Sequence, residues 1–209
     1  MVAIVDYGVG NLFSLKSSFD AIGAEVVVTD DPTVLEAADR LLLPGVGAFG
    51  DAAEKLRASG LDAVLRRLVE QGKPLLGICL GMQLLFEKSY EYGEHEGLGF
   101  IRGSVRPIAD VLPNEEYKIP HIGWNPLHFT GNSPLFSNIQ DGDCVYFVHS
   151  YYATECEESV IATTEYGAEL TAAVANGNVY GCQFHPEKSG TVGLAILKAF
   201  VELKENPVC

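Results

Sequence analysis

Four short apolar runs, at residues 2–5 (VAIV), 25–28 (EVVV), 41–43 (LLL) and 75–78 (LLGI), are separated by helical periods through the first part of the chain. Runs that are apolar at every position suit strands buried on both faces, and strands that alternate with helices require parallel pairing through right-handed crossovers. After the first run, Leu12, Leu15, Phe19 and Ile22 recur at one-face helical spacing, with Asn11 placed as N-cap and Gly23 as the stop. Residues 51–70 are periodic in the same way, with a break at Gly60 and Asp62 entering a second helix. Sheets of this kind collect ligands at the carboxyl ends of their strands.

The second half carries closely spaced β-like runs at 97–108, 121–129, 144–153, 160–166, 170–177 and 179–186. Only residues 191–204 return to a helical period, with Val192, Ala195, Ile196, Ala199, Phe200 and Leu203 on one stripe. The expectation is an α/β fold: a mixed, mostly parallel sheet with an antiparallel extension, closed by that last helix and forming a single domain over residues 1–209.

Composition narrows the function. The 28 acidic against 14 basic residues give a net charge of −14, which disfavours nucleic acid and anionic membranes and leaves room for a basic partner protein. No run approaches the roughly 18 apolar residues of a membrane span. The N-terminal MVAIVDYGVGN reaches Asp6 without a basic leader and reads as a strand. Five cysteines without a CxxC pair fit neither a disulfide framework nor structural zinc, and point to a reducing, cytoplasmic compartment. Cys144, Cys156 and Cys209 show no metal spacing, and no metal or cofactor is expected.

Cys79 sits in GICLG, after a strand and before a helical run expected over 82–88. Strand, glycine-flanked turn and helix are the parts of a nucleophile elbow, in which a thiol stands at a helix N-terminus whose amides favour the thiolate and hold an oxyanion. A buried apolar cysteine is the other reading. A thiol nucleophile needs a base, and His185, just before Pro186, is the candidate, with Glu187 two residues on and on the same side of an extended chain to orient the ring. The loop LLLPGVGAFGD at 41–51 places glycines directly after a strand, where amides can approach a substrate carbonyl. It lacks the GKS or GKT of a phosphate loop, and the GxGxxG begun by Gly8 and Gly10 fails at Phe13.

DYGVGNL (6–12), PGVGAF (44–49), GICLGMQLLFE (77–87), IPHIGWN (119–125), YFVHSYY (146–152) and QFHPEKSG (183–190) together resemble the class I glutamine amidotransferases. Within them the chain is most similar to the branch of glutaminase subunits that serve imidazole glycerol phosphate synthesis. The resemblance spans nearly the whole chain and implies a flavodoxin-like sheet with helices on both faces. It implies that Cys79 attacks the side-chain amide of glutamine to form a thioester, that His185 moves the protons and that Glu187 holds the imidazole. Gly47 and the Leu80 amide would form the oxyanion hole, and Gln83, Ser150 and Tyr151 would contact glutamine. Ammonia is mostly ammonium at neutral pH, so a synthase partner is implied. In this branch the partner is a (β/α)8 cyclase subunit making imidazole glycerol phosphate and an aminoimidazole carboxamide nucleotide. Asn11, Trp124 and Lys188 would face it; read from the residues alone they are an N-cap, a core tryptophan and a solvated lysine.

Glutaminases serving other synthases, and a non-catalytic module that keeps the fold, remain as alternatives. His149 reads as packing or backbone support, His121 as structural, and His95 and His128 as surface residues. Cys182 departs from the apolar residue common there in the family, and strand alternation points it away from the site. The isolated chain is expected to be a slow glutaminase, with one peptide at residues 45–47 turning productively only in the loaded complex.

Overall fold

The computed structural model describes residues 1–114 and 116–203; Lys204, the expected end of the last helix, and Cys209 lie outside them. The first half runs β1 (Val2–Val5), α1 (Leu12–Ala21), β2 (Val26–Thr29), α2 (Pro32–Ala37), β3 (Arg40–Leu43), α3 (Phe49–Ala58), α4 (Leu61–Glu70) and β4 (Leu75–Ile78). The remainder comprises α5 (Leu80–Gln83), β5 (Phe86–Ser89), β6 (His95–Glu96), β7 (Ile101–Pro107), β8 (His121–Pro126) and β9 (His128–Phe129). It continues with β10 (Cys144–His149), β11 (Tyr151–Thr154), β12 (Val160–Glu165), β13 (Glu169–Asn176), β14 (Val179–Cys182) and α6 (Gly190–Val201).

The main sheet has the order β2-β1-β3-β4-β14-β13-β12-β9. Its first five strands are mutually parallel, and β13, β12 and β9 extend it antiparallel. Alternation along the central strands divides the core in two. Ala3, Val5, Leu41, Leu43 and Leu75 face the side covered by α2, α3 and α4, through Leu35, Phe49, Leu56, Leu65 and Leu68. Val2, Ile4, Leu42, Leu76 and Ile78 face the side covered by α1 and α6, through Leu15, Phe19, Ile196 and Phe200. Helices therefore cover both faces, as continuous apolar strands demand. Asn11 caps α1, its side chain accepting the Ser14 N–H at 3.3 Å.

Beside the antiparallel extension of the main sheet, β10 pairs with β8 as a separate ribbon and β11-β7-β5-β6 forms a third sheet. One expectation needs correction. The helix expected over 82–88 ends at Gln83, and Phe86–Ser89 is instead β5, parallel to β7 and antiparallel to β6. Pairing with the next two strands along the chain overrides the local helical period there.

The bend after β4 is set by close backbone approach. The Cys79 N–H donates to Cys182 O at 2.7 Å, continuing the β4–β14 ladder, and the backbone then turns sharply with Cys79 at φ 54°, ψ −112°. A Cβ on Gly77 would stand 2.6 Å from Gly81 O, and one on Gly81 only 1.9 Å from Leu43 O. Both glycines let the single turn of α5 lie directly on β3 and β4. Gly81→Ala should therefore lower stability by about 3 kcal/mol or more, read as a fall in the urea unfolding midpoint, because the obstructing atom is backbone. Gly131→Ala, where an added Cβ meets nothing within 4 Å, is the control and should leave the midpoint unchanged.

Candidate active site

Cys79 follows β4, and His185 and Glu187 follow β14. Because these strands are parallel neighbours, their carboxyl ends bring the three residues to one place despite their separation in sequence. The segment after β14 is clamped to β10: the His185 N–H donates to Tyr146 O at 2.9 Å, and Ser189 Oγ accepts from the Tyr146 N–H at 3.0 Å while donating to His185 O at 2.6 Å. Pro186–Lys188 is a 3-10 turn, so Glu187 reaches His185 by a turn and not by the extended-chain alternation expected. His185 Nδ1 lies 2.8 Å from Glu187 Oε1, the two side chains being 4% and 2% exposed. Glu187 Oε2 is buried with no hydrogen-bond partner among the described residues.

Burial by itself pulls the His185 pKa down. Hydrogen bonding and charge interaction with Cys79 and with Glu187 outweigh it and raise the value to about 9. With Nδ1 on the carboxylate, Nε2 is left for the sulfur. A buried carboxylate, an imidazole and a thiol on a positive-φ turn form the arrangement that nucleophilic acyl transfer uses.

A pocket of about 630 Å³ opens over Cys79 and His185, and Gly47, Leu80, Gln83, Ser150 and Tyr151 all line it. Gly47 has φ +95°, a conformation L side chains rarely adopt, within the loop after β3. Tyr7 holds that loop from beneath, its hydroxyl donating to Pro44 O at 2.7 Å. Burial first, and then the charge of Cys79, push the Tyr7 phenol up and keep it a donor. Gln83 donates from Nε2 to Tyr151 O at 3.2 Å and to Gln183 Oε1 at 3.0 Å.

Two pocket features escaped sequence reasoning. Glu91 lines the pocket, the one acidic residue to do so among the described residues; its carboxylate accepts the Phe49 N–H at 2.6 Å, and burial raises its pKa against that bond. It lies in the polar stretch SYEYGEHEG, which carries no local signal, and the β5–β7 pairing brings it in. The second is a buried histidine pair. His149 Nδ1 is 2.9 Å from Tyr151 O, its Nε2 3.0 Å from His121 Nδ1, and His121 Nε2 2.8 Å from Asn125 Oδ1. Burial drives the His149 pKa down to about 3.

The remaining expectations divide. His128 is exposed, but His95 is half buried, its ring 6.5 Å from that of Phe49 and set over Gly50. Cys182 packs into the core beside Phe184 and Phe200, outside the pocket lining, where burial and then the Glu187 charge push its thiol up. Trp124 is 55% exposed and not a core residue. It meets Tyr146 edge-on at 6.0 Å, and the Lys188 ammonium lies 5.9 Å from the same Tyr146 ring. Ile122 is exposed alongside, and Val46, Ile119 and Lys188 stand at the pocket. No helix among the described residues is long and apolar enough to cross a membrane.

The family description "Glutamine amidotransferase class-I" matches residues 3–203, and the chain belongs to that family. Its curated relatives include proteins named "Imidazole glycerol phosphate synthase subunit HisH". That of Bacillus velezensis is 48% identical over 205 residues, covering 97% of this chain and 96% of the relative. That of Sulfurimonas denitrificans is 49% identical over 205 residues, covering 98% and 99%. Solved structures share the fold at lower identity. A glutamine amidotransferase crystal structure gives a TM-score of 0.74 at 22% identity, covering 97% of this chain and 98% of the other. PurLQS from Thermotoga maritima gives 0.71 at 21% identity, covering 96% of each.

The two histidine shifts give opposite pH limbs. His185, raised from 6.5 to about 9, contributes stability that is complete below 6.5 and lost as pH rises through about 9. His149, lowered from 6.5 to about 3, contributes stability that is complete above 6.5 and lost as pH falls toward 3. Urea midpoints measured from pH 4 to pH 10 should fall on both sides of neutrality. Cys79→Ser should move the alkaline limb to lower pH and His149→Gln should flatten the acid limb; limbs unchanged in both variants would contradict these assignments.

Proposed function

We infer that the chain is the glutaminase subunit of an imidazole glycerol phosphate synthase: it hydrolyses glutamine to glutamate and ammonia and passes the ammonia to a cyclase. The observation that carries the chemistry is the buried His185–Glu187 pair beside a thiol on a positive-φ turn, at the floor of a pocket large enough for an amino acid. Cys79 attacks the side-chain amide carbon, the carbonyl electrons moving to an oxygen received by the amides of Gly47 and Leu80. Collapse expels nitrogen, protonated by His185 Nε2–H, and leaves a thioester. A water deprotonated by the same nitrogen then cleaves the C–S bond, releasing glutamate. Glu187 keeps Nδ1–H engaged throughout and stabilises the imidazolium. Gln83, Ser150 and Tyr151 hold the glutamine backbone, and Glu91, the acid on the pocket wall, suits its α-ammonium.

The reading includes a cyclase subunit of (β/α)8 form covering the pocket mouth. Support comes from the exposed Ile119 and Val46 that line the pocket with Lys188, and from the exposed Trp124, which meets the Tyr146 ring that Lys188 also approaches. Asn11 lies on the same reading toward the partner, in addition to capping α1. The whole chain acts as one amidotransferase domain, in the cytoplasm, where its thiols stay reduced.

The deciding assay is glutamate release by the chain alone and with the cyclase and its nucleotide ligand. The complex should be much faster than the lone chain; equal rates would overturn the partner reading. Cys79→Ala should lower glutamine-dependent synthesis by about 10⁴-fold or more while ammonium salts still support it. Persistent glutamine use in that variant would remove Cys79 from the mechanism.

A further inference from the structure

The orientation of the buried amides behind the pocket is fixed at one atom. Tyr151 O can only accept, so the end of the Gln83 amide 3.2 Å from it is the nitrogen. That nitrogen also lies 3.0 Å from the Gln183 amide, whose facing atom must then be its oxygen. The Gln183 nitrogen is thereby turned to Cys79 Sγ, at 3.7 Å. Flipping the Gln183 amide would set two N–H donors against each other, and at 0% exposure the residue has no solvent to relieve them. Its backbone N–H is held by Ala172 O at 2.8 Å. Gln183 and His185 are two residues apart and share one side of the chain, while Cys182 and Phe184 enter the core.

We propose that Gln183 is a catalytic residue of the glutaminase reaction, donating its Nε2–H to the Cys79 thiolate. The inference rests on the reading of Cys79 as the nucleophile. An N–H donor strengthens its bond when the acceptor is an anion, so it favours thiolate over thiol before attack. In the second half-reaction the C–S bond breaks and its electron pair returns to sulfur, where the same donor receives it. A neutral amide donates without giving up its proton, so it favours the ionised sulfur without quenching it. Thioester sulfur is a poor acceptor, so the bond is weakest in the covalent intermediate and is recovered on its hydrolysis.

The test is the pH dependence of Cys79 alkylation by iodoacetamide in the full chain, followed by mass spectrometry of the Cys79 peptide so that other thiols do not interfere. Gln183→Met keeps the volume and removes the donor; its alkylation midpoint should rise by about one pH unit. Gln183→Asn keeps an amide but withdraws it by one methylene, should give an intermediate midpoint, and decides the matter if the first variant fails to fold. With the cyclase present, kcat should fall in both variants with little change in KM for glutamine. Midpoints coincident with the wild type, or a raised KM at constant kcat, would overturn the role of Gln183 and leave the glutaminase reading standing. A wild-type Cys79 no more reactive than an ordinary thiol, together with no glutamate release in the complex, would instead remove the reading beneath it.

Discussion

The parallel pairing of β4 with β14 is the contact on which the site depends. It extends one hydrogen bond beyond the strands, from the Cys79 N–H to Cys182 O at 2.7 Å, and fixes where the backbone must turn. Beyond that bond the two chains diverge, one into the single turn of α5 and the other across β10 into the Pro186–Lys188 turn. The cleft between them is the floor of the pocket. Because both walls are anchored in the most buried strands of the sheet, the relative positions of thiol and imidazole are set by core packing rather than by loop conformation.

Electrostatics in that cleft are a contest that burial by itself would lose for catalysis. Desolvation favours a neutral His185, and the carboxylate of Glu187 and the sulfur of Cys79 reverse the outcome. Where no such partner exists, burial wins: His149, equally enclosed, stays neutral. The two buried rings thus sit in different settings, His185 paired with a carboxylate and His149 bracing the Tyr151 carbonyl. That carbonyl is shared with Gln83, so the strand expected to contact substrate is held by side chains from two separate parts of the chain.

The surface around the pocket has a different character. Although the chain carries a net charge of −14, exposed Val46 and Ile119 line the pocket with Lys188, and exposed Trp124 joins Lys188 through the Tyr146 ring. Exposed apolar side chains of this kind suit contact with another protein. The Trp124–Tyr146–Lys188 contact joins this surface to β10, whose Tyr146 backbone holds His185 and Ser189.

Much of the candidate site was legible in local sequence because its geometry rests on local rules. A cysteine between two close-packed glycines after an apolar strand can hardly avoid a sharp bend, and a glutamate two residues past a histidine stays within its reach whether the chain is extended or turned. The alternating strands and helices of the first half were readable for the same reason, since buried parallel strands are apolar at every position. Strand pairing decided that the helix after Cys79 stops at Gln83, because β5 pairs with β6 and β7, which a helical period in residues 82–88 does not reveal. Tertiary structure alone brought Glu91 to the pocket wall, placed Trp124 outside the core and turned the Gln183 amide toward sulfur. Such placements depend on hydrogen-bond partners and neighbours far along the chain, which no local pattern of residues encodes.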